Sequence, residues 1–230
     1  MKAFAIVIKD HPVSEAGFTK LVQSSIDVNN PFTLERWNAI TPATVDSTLP
    51  YYNIKWNWPQ FGKLLDVVTG LTKNPYAGDV QTRIACALSH YTIWDAVVTM
   101  REPTWVFEHD AEFINRVDFD TNYIGAPVLG VNDPRGATRK PELYHQMLQK
   151  NPSPYQLVPR LDADLSIPHG LAGNSAYFIN VRGAKMMLDL VNQYGLWPND
   201  AIMCRQLVPN LSTTRKYYTK VQGLVSTTTI

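Results

Sequence analysis

Along the chain, runs of β-branched and aromatic residues alternate with segments whose apolar side chains recur every three or four positions. "FAIVIK", Phe4 to Lys9, is apolar up to its last residue and predicts a strand. In "FTKLVQSSI", which follows, Phe18, Leu21, Val22 and Ile26 share one helical face. "FTLERWNAI" predicts a second strand and a turn. "TLPYYNIKWNWPQFG" is too aromatic and too flanked by proline for a regular element, and reads as a packed surface loop. The strongest helical pattern is "VQTRIACALSHYTIWDAVVTM", with Ile84, Ala87, Leu88, Tyr91, Trp94 and Val98 on one stripe and Asp79 placed to cap it.

"TWVF" then predicts a short central strand, apolar throughout as expected when helices cover both sheet faces. "YIGAPVLGV" predicts another strand. A Pro-rich stretch from Pro134 to Pro168 leads to a third, "AYFINV", and an amphipathic helix "RGAKMMLDLVNQYG" ending at Gly195. "NDAIMCRQL" predicts a last short helix and "YYTKVQGLV" a last strand. The alternation implies an α/β fold with a mostly parallel central sheet flanked by helices.

Within that pattern "PTWVFEHDAEF", Pro103 to Phe113, places acidic residues where an apolar strand ends. Ligands of α/β sheets gather beyond the carboxyl ends of the strands. Side chains two apart on a strand point the same way, so Glu108 and Asp110 converge while His109 faces elsewhere. Converging carboxylates repel unless a cation joins them, and a hard divalent ion shared with substrate phosphates answers that need. A solvated acidic turn is the alternative.

Composition narrows this picture without naming a ligand. With 230 residues, 45% hydrophobic and 11% aromatic, the chain suits one domain over residues 1–230. A formal net charge of +1 supplies no general field for nucleic acid or an anionic membrane, so a phosphate site must be local. Cys86 and Cys204 form neither a disulfide framework nor a zinc spacing, and read as buried thiols inside helices. The apolar run Ala3 to Ile8 is too short for a signal segment or a membrane span, which points to a cytoplasmic protein. No Gly-rich phosphate loop, Walker sequence or G-x-S-x-G elbow is present. Ser89 and His90 are helix neighbours that do not face each other, which excludes a nucleophile and its base. "GLAGNS" suits a tight turn before a strand. Trp56 and Trp58 lie in the aromatic loop and offer either an acceptor platform for a sugar face or a packed cluster.

Three segments together resemble glycosyltransferase family 25, the lipooligosaccharide-type and collagen-type galactosyltransferases. "RIACALSHYTIWDAVV" followed by "PTWVFEHDAEF" is similar to that family's G-C-x-L-S-H helix and its apolar strand ending in E-D-D-A. "GNSAYFINVRGAKMML" and "PNDAIM" resemble its small-residue turn, strand and helix and its later P-x-D segment. The likeness runs from Arg83 to Met203, with an echo in "FAIVIKD" and "RWNAITP".

The resemblance implies a GT-A (Rossmann-like) fold, a nucleotide-sugar donor such as a UDP-sugar, a glycan or other hydroxyl acceptor, and a divalent metal ion, Mn2+ or Mg2+. Asp110 matches the expected metal ligand, and Glu108 a residue near the metal or the ribose. His109 departs from the pattern, an imidazole standing where the family has a central acid. Ser89 and His90 match the family's pair and either buttress the strand end or touch the nucleotide; Asn174, in the small-residue turn, falls on the donor side. Asp200 is the candidate general base of an inverting transfer, or else a cap for a helix beginning near Ala201. Arg135, Arg139 and Lys140 either close over the diphosphate or form a solvated basic loop. Two other readings remain. One is a transferase of this fold acting on a modified nucleobase or protein side chain, for which "TTRKYYTK" offers basic and aromatic groups. The other is a non-catalytic sugar- or nucleotide-binding module in which His109 marks a degenerate site, though Glu108 and Asp110 argue against it.

Overall fold

A computed structural model describes residues 1–76, 78–121, 124–137, 139–224 and 227. The elements in chain order are β1 (Lys2–Val7), α1 (Pro12–Asp27), β2 (Glu35–Asn38), α2 (Pro42–Tyr51), β3 (Leu64–Leu65), β4 (Thr72–Lys73), α3 (Val80–Met100), β5 (Thr104–Glu108) and β6 (Ala111–Phe113). Then come β7 (Val128–Gly130), α4 (Pro141–Lys150), β8 (Tyr155–Leu157), β9 (Ala176–Ile179), α5 (Val181–Tyr194), α6 (Asn199–Ile202), β10 (Ser212–Thr214) and β11 (Thr219–Val221).

Seven strands form the central sheet in the order β2-β1-β5-β9-β7-β10-β8. β2, β1 and β5 run parallel, as do β7 and β10, while β9 is antiparallel to both its neighbours and β8 to β10. Five of the seven strands thus share one direction, giving the mostly parallel, helix-flanked sheet that the alternating pattern implied. The two-residue period of the strands sorts the core onto two faces. Phe4, Ile6, Val106, Tyr177 and Ile179 pack under α3 and α5, whereas Ala5, Val7, Trp105, Phe107 and Phe178 meet Leu21 of α1 on the other side.

The best-patterned segments fold as expected. Asp79 caps α3 by accepting from the Thr82 amide at 2.8 Å, and Asn180 caps α5 in the same way through Gly183. α1 begins earlier than its apolar stripe suggested, because Pro12 at its first turn needs no amide partner there. The supposed aromatic loop is partly helical: Thr48 to Tyr51 complete α2, and Trp58 is a core residue whose indole donates to Asn74 O at 2.8 Å. The Pro-rich stretch contains α4, with Pro141 at its first turn and Tyr144 and Leu148 buried. "YIGAPVLGV" shortens to β7, and its Tyr123 lies outside the described residues. The last strand pairs mainly outside the central sheet, β11 with β6, and meets the chain just beyond β7 only through a bridge from Thr219 to Asn132; Val225 of that segment is also outside the described residues. Cys86 is a half-buried residue of α3, and Cys204 is buried just beyond α6, bridged to Gly170. No helix among the described residues is long and apolar enough to cross a membrane.

Candidate active site

A cleft of about 610 Å³ opens at the carboxyl end of β5. Its lining includes Glu108, Asp110, Asn174 and Asp200, four of the residues singled out in the sequence, together with Trp58. The antiparallel course of β9 explains why distant segments meet here: its first residue, Ala176, pairs with Phe107 near the end of β5, so Asn174 and Ser175 arrive beside Glu108. The Glu108 amide donates to Ser175 O at 2.8 Å and closes that junction.

The acidic turn is held from several sides. After Glu108 the chain turns at His109 and Asp110 and enters β6. Gln222, just past β11, donates its backbone amide to Asp110 O at 2.7 Å and its side-chain amide to Gly17 O, His109 O and Ala111 O. Helix α1 packs so closely that a Cβ on Gly17 would stand 2.8 Å from His109 O. His109 itself lies against α1 and is not among the cleft's lining residues; burial lowers its pKa. The imidazole that departs from the family pattern therefore changes packing behind the turn.

Glu108 is positioned by a buried chain. The Trp94 indole donates to Tyr177 Oη at 2.9 Å, Tyr177 Oη meets His90 Nδ1 at 2.9 Å, and His90 Nε2 meets Glu108 Oε1 at 3.1 Å. An ionised Glu108 only accepts, so His90 donates from Nε2; Nδ1 of the neutral ring then accepts from Tyr177, which accepts from Trp94. Every polar atom from the Trp94 indole to Glu108 Oε1 thus has a partner. Ser89 accepts from the Ile40 amide at 2.9 Å and donates to Ala85 O, tying α3 to the end of β2. Neither Ser89 nor His90 lines the cleft, and His90 reaches it only through Glu108.

Asp110 has no such support. Its Oδ1 is buried without a hydrogen-bond partner, and burial together with the neighbouring Glu108 charge pushes its pKa up to about 7. A buried polar atom left unpaired costs roughly 1–3 kcal/mol, so its presence at a cleft marks a place for a ligand. A divalent cation fits these two carboxylates: it would give the Asp110 oxygen a partner and relieve its repulsion with Glu108. Cys86, His90 and Glu108 form a second set whose donor atoms lie within 4.8 Å of one another. In that set the imidazole already serves Glu108, and burial holds the Cys86 thiol well above its usual pKa and hence protonated. The harder, unpaired Asp110 oxygen is the better cation ligand.

Asp200, also in the lining, stands in the first turn of α6, where its carboxylate accepts from Tyr76 Oη at 3.0 and 3.1 Å. The helix cap is Pro198, so the capping role considered for Asp200 falls away. Asp200 is exposed where it meets the cleft, yet protein surrounds it closely enough that desolvation raises its pKa, opposed by the Tyr76 hydrogen bond and the charge of Arg83. The Arg83 guanidinium lies 4.6 Å over the Tyr76 ring and steadies the clasp.

Arg139 is at the rim, ion-paired with Asp162 and donating to Pro168 O at 3.1 Å; Lys140 joins the same carboxylate, and Arg135 pairs with Asp133 at 2.6 Å. All three are held in ion pairs, and of them only Arg139 lines the cleft. Trp56 lies outside the main cleft, in an adjoining pocket of about 240 Å³ that shares Trp58 and Tyr76 with it. The basic and aromatic residues of "TTRKYYTK" line neither. The sequence did not single out Tyr76 and Gln222, whose roles rest on partners far away in the chain, nor His169 and Ser175, whose unpaired side chains belong to the cleft lining. Only the placement of Ser175 next to Asn174, directly before a strand, carried a local signal.

Residues 72–124 match the family model described as Glycosyltransferase family 25 (LPS biosynthesis protein). The matched segment contains α3, β5 and the acidic turn, so it supports the family resemblance and a glycosyltransferase on the residues that build this wall of the cleft. No curated protein matches the chain. Among solved structures, mouse xyloside xylosyltransferase 1 in its apo form aligns over 90% of this chain and 79% of its own at 11% identity, with a TM-score of 0.41, a likeness too slight to bear on function.

Proposed function

We propose that the protein is a metal-dependent GT-A glycosyltransferase that moves a hexose from a nucleotide sugar, a UDP-sugar first among them, to a hydroxyl acceptor with inversion. The observation that carries this reading is the unpaired Asp110 carboxylate set beside Glu108 at a strand end, inside the segment that matches the family. Asp110 and Glu108 would hold the divalent cation, Mn2+ or Mg2+, which when bound supplies positive charge to a departing diphosphate. His90 keeps Glu108 oriented, with Tyr177 and Trp94 behind it. In the same cleft Asp200, its pKa raised by desolvation and its geometry fixed by Tyr76, takes the proton of the acceptor hydroxyl. As the acceptor oxygen bonds to the anomeric carbon, the bond from that carbon to the diphosphate oxygen breaks and its electron pair leaves with the nucleotide. The smaller pocket beside Trp58 suits the acceptor, with Trp56 offering an aromatic face.

Thermal unfolding with UDP- and GDP-sugars, in Mn2+ and in EDTA, tests the reading. Ligand at about a hundred times its Kd adds roughly 2.7 kcal/mol, or about 5–10 °C in Tm for a chain of this size. A rise that requires Mn2+ supports the proposal. The absence of any rise across the panel, or an equal rise in EDTA, rejects it.

A further inference from the structure

We propose that His169, with Asn174 and Ser175, forms the subsite for the donor's sugar and reads its hydroxyl groups, an inference resting on the glycosyltransferase reading above. The segment from Ile167 to Ser175 lines the cleft continuously, as a strap from α6 to the end of β5. At one end a Cβ on Gly170 would stand 2.5 Å from Asp200 O, so only glycine lets the strap lie against α6. At the other end Ser175 O accepts from the Glu108 amide. The strap therefore spans the distance between the candidate base and the candidate metal ligands, which is where a transferring sugar must lie.

Three side chains on this strap are more than nine-tenths buried, at 3% exposure for His169, 8% for Asn174 and 4% for Ser175. Both ring nitrogens of His169, both amide atoms of Asn174 and the Ser175 hydroxyl lack a hydrogen-bond partner. So many unpaired buried polar atoms along one wall call for a ligand rich in polar groups. The set is also specific in kind. A neutral imidazole, a carboxamide and a hydroxyl each donate and accept, which matches sugar hydroxyls, groups that do both. Burial lowers the pKa of His169, with the Arg139 charge adding to it, so the ring stays uncharged. Arg139 at the rim is engaged by Asp162 and Pro168 O, and its charge and those of Arg160 and Arg205 reach the ring.

The test compares binding of UDP, UDP-glucose and UDP-galactose, with GDP and GDP-mannose as a second set, by calorimetry in Mn2+. The expected result is that a sugar nucleotide binds the wild-type protein about threefold to tenfold tighter than its nucleoside diphosphate, the gain of one or two net hydrogen bonds. His169→Phe should abolish that advantage while leaving diphosphate affinity within about twofold. Ser175→Ala, which deletes one hydroxyl and keeps the backbone bond to Glu108, should remove a smaller share, and His169→Gln should retain part of it. These two carry the test if His169→Phe fails to fold. A sugar advantage unchanged in the variants, or none in the wild type, would overturn the subsite while the glycosyltransferase reading stands. A wild-type protein that binds no nucleotide at all overturns both.

Discussion

The β5 wall of the cleft and its α6 wall both present carboxylates, but they are built in different ways. At β5, Glu108 is supported from behind by a chain of buried aromatic and imidazole groups, while its neighbour Asp110 is left with an unpaired oxygen. At α6, Asp200 is isolated from other acids on its own element and clasped by a single phenol reaching across from the segment after β4. A carboxylate pair with an unmet valence is suited to capturing a cation. A lone carboxylate with one donor and a raised pKa is suited to exchanging a proton. The same side-chain chemistry thus serves two tasks because the surroundings differ.

Removing Asp110 should break the comparison most severely. Asp110→Asn is expected to lower turnover about a thousandfold or more, the scale of several kcal/mol of lost charge stabilisation, with EDTA mimicking the variant. Stability should move the opposite way. Folding raises the Asp110 pKa from 3.8 to about 7, so the metal-free folded chain holds a proton the unfolded chain has released. Stability then falls as pH climbs from about 4 to about 7 and levels above that, by roughly 1–4 kcal/mol. Denaturation of the metal-free protein across that range should show this decline, and Asp110→Asn should flatten it; an unchanged slope would reject the environment assigned to Asp110.

Asp200→Asn tests the other wall. Turnover should drop about a hundredfold or more, with nucleotide affinity and Tm close to the parent, because the amide keeps the bond to Tyr76 but cannot take a proton. Product that retains the donor's anomeric configuration would remove the need for this base.

His90→Gln, which shortens the link to Glu108 without emptying the core, should weaken Mn2+ binding about tenfold to a hundredfold, and titration of the metal reads that directly. A variant that folds normally and binds Mn2+ like the parent would reduce His90 to a packing residue.

The smallest effect on catalysis is expected at Trp56, the tryptophan outside the main cleft. Trp56→Ala should raise acceptor KM severalfold, by about 1 kcal/mol of lost contact, at unchanged donor affinity. Trp58→Ala should instead destabilise the fold by about 3–5 kcal/mol, since that ring packs 5.3 Å from Trp197 within the core. Equal behaviour of the two variants would erase the distinction between a ligand face and a packed one.

Much of the scaffold was legible because local spacing and local sterics determine it. The stripe of α3, the caps at Asp79 and Asn180, the apolar β5 and the acids at its end each depend on residues within a few positions of one another. Helices α2 and α4 were harder to read because prolines at their first turns resemble breakers until the chain direction is known. What no local pattern could supply was the pairing of distant parts: Tyr76 with Asp200, 124 positions away, Trp94 with Tyr177, 83 away, and Gln222 with the acidic turn. The sequence by itself determined which residue types stand at the end of β5. That β9 returns antiparallel beside that strand, delivering the polar strap and then Asp200 to the same cleft, was decided by the tertiary structure, because sheet order and strand direction follow from how two apolar faces are covered at once.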